Sequence, residues 1–145
     1  MQLIKKNQNC KLLLIIFYFI ISSNILSAQS FHSFLIPKTV SVSFFKHFPG
    51  IIPFWKKVDT HYEAGFHQNG KEMSALFDAN GTLTETEVAI KIAELPAAIH
   101  QYIQQKYPGA TIKEASIITL ANGTKHYEAE VNGQDLIFDS AGNFI

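Results

Sequence analysis

The chain, 145 residues long, predicts an α+β fold: a tandem duplication of a helix plus antiparallel β-meander unit, with the helices packed on one face of a twisted antiparallel sheet. Three observations carry that prediction. The sequence repeats itself in order. Ile36-Pro37 through Phe48-Pro49-Gly50 returns as Leu95-Pro96 through Tyr107-Pro108-Gly109, His61-Tyr62-Glu63-Ala64 as His126-Tyr127-Glu128-Ala129, and Phe77-Asp78-Ala79-Asn80-Gly81 as Phe138-Asp139-Ser140-Ala141-Gly142. Ordered self-matches of this kind mark a duplicated supersecondary unit. Within each copy the apolar period then switches from helical spacing to alternation. Finally, four Asn-Gly pairs, at 69–70, 80–81, 122–123 and 132–133, punctuate the alternating runs, and Asn-Gly between such runs is a strong hairpin signal.

The chain opens on Lys5, Lys6 and Lys11, followed by an unbroken apolar run from Leu12 to Ile21 and small residues up to Ala28. A basic start, an apolar run of this length and a small residue before the break predict a signal peptide over 1–28. The run is too short for a bilayer, which takes about 20 apolar residues, so no stable membrane anchor is expected after cleavage. Residues 29–35 are expected to form a flexible lead-in, and 36–145 a single domain made of two repeats, 36–90 and 95–145.

Each repeat opens on a helix. Ile99, Ile103 and Tyr107 recur one turn apart with Pro96 suited to the first turn, and Val40, Phe44 and Phe48 do the same in the first copy. Pro-Gly ends both. Phe54–Asp59 and Ile112–Leu120 read as leading strands. Alternation then puts Tyr62, Ala64, Phe66, Met73, Ala75 and Phe77 on one face, and Tyr127, Ala129, Val131, Leu136 and Phe138 on the matching face of the second copy. Thr84–Ile90 reads as a fourth strand with a solvated charged side. The offset between copies grows from 59 at the helix ends to 65 at the His-Tyr-Glu-Ala match, which predicts about six extra residues near Thr119–Thr124. It falls to 61 at Phe77/Phe138, which predicts a tighter hairpin at Asn132-Gly133.

Composition narrows the function classes. Once residues 1–28 are removed the chain keeps nine Lys against twelve Asp plus Glu, has no Arg and has no Cys. A net charge of about −3 without guanidinium groups argues against nucleic acid as a partner, and an exported chain without disulfides must be held by its apolar core. No nucleophile elbow, mature cysteine or nucleotide-binding glycine loop is present, so the chain reads as no enzyme and no cofactor is expected.

Two sets of candidate site residues remain. His61, Glu63, His126 and Glu128 pair imidazole with carboxylate at i, i+2 on one strand face; side by side, the two pairs would offer four metal ligands. Alternatively they form the solvated side of two strands. Leu76 and Ile137 occupy equivalent positions opposite the core-facing Phe77 and Phe138. With Trp55 they are candidates for an apolar binding patch on the open sheet face. The alternatives are a core Trp55 and an aliphatic pair covered by a curled sheet.

Trp55, Tyr62-Glu63-Ala64-x-Phe66, Asn69-Gly70, Phe77-Asp78-x-x-Gly81, Thr86-Glu87, Leu95-Pro96, Tyr107-Pro108-Gly109 and Tyr127-Glu128-Ala129 together resemble the PepSY-like family of exported bacterial proteins, which is similar in fold to β-lactamase inhibitor proteins. The resemblance spans roughly residues 36–145. It implies the tandem α+β repeat, a periplasmic or secreted location, and no catalytic residues. The function expected is that of a non-catalytic exported binding module that binds or inhibits another envelope protein through its sheet face. The alternative is a small-ligand or metal-binding periplasmic module.

Overall fold

A computed structural model describes residues 35–145; the signal peptide and nearly all of the lead-in expected above lie outside the described residues. The chain runs α1 (Lys38–His47), β1 (Phe54–Val58), β2 (His61–Gln68), β3 (Lys71–Phe77), β4 (Leu83–Ala89), a single 3-10 turn (Ile92–Glu94), α2 (Ala97–Lys106), β5 (Ile112–Leu120), β6 (Lys125–Val131) and β7 (Gln134–Asp139). All seven strands form one antiparallel sheet in sequential order, β1 to β7.

The two helices begin and end alike. Pro37 and Pro96 sit just before the first turn, at φ −56°, ψ 140° and φ −52°, ψ 142°, one residue earlier than the sequence suggested. Their fixed φ directs the chain into the helix although no side chain caps either start. At the other end Phe48 and Tyr107 close the last turn onto Phe44 and Ile103, and Pro-Gly follows.

Each helix buries a stripe against its own half of the sheet. Val40, Phe44 and Phe48 pack with Ala64, Phe66, Ala75 and Phe77. Ile99 and Ile103 pack with Leu95, Ala115, Ala129, Val131, Leu136 and Phe138. Phe44 is the hub of the first core, with ring centroids 5.4 Å from both Phe66 and Trp55 and 6.2 Å from Phe77. Phe66, Phe77, Ile99, Ile103 and Phe138 are buried as alternation predicts. Tyr62, Tyr107 and Tyr127 are only half-buried and pack at the margins of the two cores.

Register shows where the extra residues went. Val58 pairs with His61 in the first hairpin and Ile118 with His126 in its counterpart, so two residues separate the partners in one case and seven in the other. Five of the added residues therefore extend the β5–β6 hairpin. One more is absorbed by the irregularity between Ile112 and Ala115, because Val58 to Ile118 is offset by 60 and Gly50 to Gly109 by 59. The hairpin at Asn132-Gly133 is not tighter than that at Asn69-Gly70. Both are two-residue turns with positive φ at both positions, 54° and 75° in the first and 54° and 74° in the second. This is the turn whose twist matches the strands; what shortens in the second copy is the paired strands.

Asn80-Gly81 belongs to a different, longer turn. Asp78 Oδ1 accepts from the backbone N–H groups of Asn80 and Thr82 at 2.9 and 2.8 Å. Thr39 Oγ1, at the start of α1, donates to Ala79 O at 3.1 Å. Gly81 has φ +87°, and a Cβ there would lie 2.5 Å from Thr39 O, so the turn docks against the helix only because this residue has no side chain.

Candidate functional site

Alternation and register together decide what the helix-free face carries. Opposite the Phe77 side, β2 and β3 present Glu63, Leu76, Ser74 and Glu72. The pairs Leu76↔Glu85 and Ser74↔Glu87 extend this face onto β4, Glu87↔Ile118 and Ala89↔Ser116 onto β5, Ser116↔Glu128 onto β6, and Glu128↔Ile137 and Glu130↔Asp135 onto β7. No described helix packs on this side, yet Glu63, Ser74, Leu76, Ser116, Ile118 and Ile137 are all buried.

Of these, Ser74 and Ser116 border a hollow. A cavity of about 640 Å³ is lined from β3 through β7, with Lys91 and Ile92 of the 3-10 turn closing one side. The hollow carries six carboxyl groups, Glu72, Glu87, Glu114, Glu128, Glu130 and Asp135, against two lysines, Lys91 and Lys113.

Burial controls how those carboxyls titrate, because a charge removed from water is disfavoured. Burial first, and then the facing charges of Glu87, Asp135, Glu85 and Glu114, push Glu128 up to about 9. Burial raises Glu87 to about 7 against a partial offset from the neighbouring Ser116 hydroxyl, and Glu63, Glu85 and Asp135 raise it further. Despite that proximity, Ser116 Oγ and Glu87 Oε2 are buried atoms that complete no hydrogen bond of ordinary geometry. Beyond the cavity, burial and then Glu63 raise Glu85 to about 7. Glu63 is itself raised by burial and partly held down by Lys56, whose Nζ lies 4.0 Å from Glu63 Oε2.

The residues singled out from the sequence are placed as follows. His61 and Glu63 lie on β2, His126 and Glu128 on β6, with β3, β4 and β5 between them. The two pairs therefore do not meet as four ligands, and among the described residues no group of three or more His, Cys, Asp or Glu is arranged to hold a metal ion. Trp55 belongs to the first core, not to the open face; it is Phe54, 79% exposed, that points away. Leu76 and Ile137 do lie on the helix-free face but are only 4% and 9% exposed, so they make no exposed patch with Trp55. The charged side of β4 is not solvated either, since Glu85 and Glu87 are half-buried. Ser116, Glu114 and Asp135 were not singled out at all. Glu128 is the one residue of the proposed metal set that lines the cavity.

The fold is an α+β scaffold in which a seven-stranded antiparallel meander is backed by two helices. The chain belongs to the PepSY-like family, whose model, described as a candidate beta-lactamase-inhibitor-like group, matches residues 60–145. Solved structures share the fold. A BLIP-like protein from Bacteroides fragilis is 23% identical, with 78% of this chain and 86% of that one covered at a TM-score of 0.60. A DUF2874 family protein from Bacteroides uniformis is 20% identical, covering 75% and 86% at 0.64. A protein from Bacteroides eggerthii described as a candidate periplasmic protein is 17% identical, covering 77% and 86% at 0.65. No protein of curated function matches the chain in sequence. Among the described residues no helix is long and apolar enough to cross a membrane.

Proposed function

We propose that this protein is a non-catalytic module of the cell envelope that binds another exported protein through the helix-free face of its sheet. The observation that carries this reading is the cavity spanning β3 to β7. It is preformed, and its polar groups are held on strands rather than on loops, as ligand sites on rigid scaffolds are. We read the two helix–meander units as a tandem duplication in which the first copy supplies β3 and β4 to the cavity and the second supplies β5, β6 and β7. The sequence resemblance supports an exported, periplasmic location.

The test is capture from envelope extract on the immobilised mature chain, beside a Glu87→Gln/Glu128→Gln variant shown to fold. Capture of a discrete partner by the natural chain and its loss with the variant supports the reading. Equal capture by both moves the interface off this face. Assaying the captured partner's activity with and without the chain separates inhibition from binding.

A second reading has a specific observation in its favour. Burial pushes Glu128 up to about 9 beside Asp135, and a carboxyl kept protonated next to a second one can act as a general acid. Hydrolysis of envelope glycans by the purified chain, abolished in Glu128→Gln, would establish it; no turnover across a glycoside panel would dismiss it.

A further inference from the structure

The cavity selects its ligand by chemistry as well as by shape. Its carboxyls are not spread at random. Ser116 stands directly opposite Glu128 across β5 and β6, Glu87 lies on the diagonal from Ser116 through its partner Ile118, and Asp135 on the diagonal from Glu128 through Ile137. Direct cross-strand neighbours stand about 5 Å apart and diagonal ones about 7–8 Å. Four oxygen-bearing side chains from four successive strands therefore converge on one part of the sheet.

Two of them are left open. Ser116 is 5% exposed, and its Oγ and the neighbouring Glu87 Oε2 are buried atoms that complete no hydrogen bond of ordinary geometry. Buried polar atoms without partners are costly, at about 1–3 kcal/mol each, and these are acceptors facing a space large enough to admit a donor. Ala89, Ile90 and Ile92 supply apolar surface to the same space. Among the described residues no carboxylate group is gathered tightly enough for a metal ion. An elongated organic cation, with a charged end and an apolar stem, satisfies all of these features together.

We propose that the cavity receives the side chain of a lysine presented by the partner protein, its ammonium group held by Glu87, Glu128 and Ser116 Oγ and its methylene stem lying against Ile90 and Ile92. An ammonium has three donors around a point charge, which suits acceptors arriving from different strands; a guanidinium asks for one planar, two-pronged carboxylate. The proposal rests on the binding reading above and narrows it to one recognised group. Arrival of a positive charge among carboxyls kept neutral by burial also favours their ionisation, so binding releases protons to the buffer.

The test uses the mature chain and defined probes. N-acetyl-lysine methylamide, its norleucine analogue, its arginine analogue and 1,5-diaminopentane are titrated by amide NMR and by calorimetry in two buffers of different ionisation heat. The expected result is perturbation centred on Ser116, Glu128 and Asp135 by the lysine derivative, with proton release. Affinity should fall at least tenfold for norleucine and for Glu128→Gln, and less for Ser116→Ala. Unfolding curves of each variant confirm that it folds; if Glu128→Gln does not, Glu87→Gln takes its place with the same expected loss. Equal perturbation by lysine and norleucine, or stronger binding of arginine, overturns the proposal. Binding of the diamine without the lysine derivative overturns it in favour of free polyamines. If a captured partner resists competition by the lysine derivative, this inference fails while the binding reading stands.

Discussion

Because the carboxyls of the open face titrate high, the fold should lose stability as pH rises, the reverse of the usual acid sensitivity. Glu87 is raised from 4.5 to about 7 and Glu128 to about 9, in both cases by burial first. A carboxyl whose folded value exceeds its unfolded value binds its proton more tightly in the native state. Its contribution is complete below pH 4.5 and disappears as pH climbs through the folded value. For Glu87 alone the interval from 4.5 to about 7 corresponds to roughly 3 kcal/mol, at about 1.4 kcal/mol per pH unit. Since Glu85, Glu87, Glu114, Glu128 and Asp135 act on one another, protons leave the cluster in steps that belong to the group. Relaxation and water entry reduce the cost, so about 2–3 kcal/mol lost between pH 5 and pH 8.5 is the expected scale. Urea melts of the mature chain at these two pH values read it directly: with a slope of about 1–3 kcal/mol per molar, the midpoint should fall by roughly 1–2 M. Glu128→Gln should flatten the dependence, being close to neutral at pH 5 and stabilising at pH 8.5. A midpoint that rises or holds over this range, or a slope unchanged in both Glu128→Gln and Glu87→Gln, refutes the argument that these groups are buried and mutually repelling.

Phe77→Ala and Phe138→Ala should each cost about 3–5 kcal/mol in urea melts, because both rings are fully buried, one in each core. Gly81→Ala should be severe, as the new Cβ meets Thr39 O at 2.5 Å and φ is +87°; left-handed strain of about 1–2 kcal/mol and overpacking of about 1–3 kcal/mol act together. Gly142→Ala has the same φ but meets the Ala98 Cβ at 3.0 Å, so its melt should show the smaller loss. Leu76→Asp/Ile137→Asp should abolish the cooperative transition rather than leave it intact, since both side chains are buried on the helix-free face. A near-native melt for that pair would show the face to be open.

Much of this fold is written locally. The two Pro starts, the Pro-Gly stops and the two Asn-Gly hairpin turns each follow from one or two residues, and period-two alternation correctly assigns Phe66, Ala75, Phe77, Ala129 and Phe138 to the helix side. The candidate site failed to appear for a different reason. Alternation says which side of a strand a residue faces; it does not say whether that side is wet. Alternation places Leu76 and Ile137 on the helix-free face but leaves open whether they form a patch or are covered, and at 4% and 9% exposed they are covered. The metal candidates required β2 and β6 as neighbours, whereas pairing of β4 with β5 sets three strands between them. That same junction builds the cavity, because it carries the Ser74–Glu87 row of the first unit onto Ile118 and beside Ser116 of the second. One signal was available. Glu85 and Glu87, Glu128 and Glu130 are i, i+2 carboxylate pairs on the side away from the core, and Glu130 faces Asp135 directly across β6 and β7, where like charges are destabilising. That concentration of acids on one side of the sheet is what the proposed lysine side chain would offset.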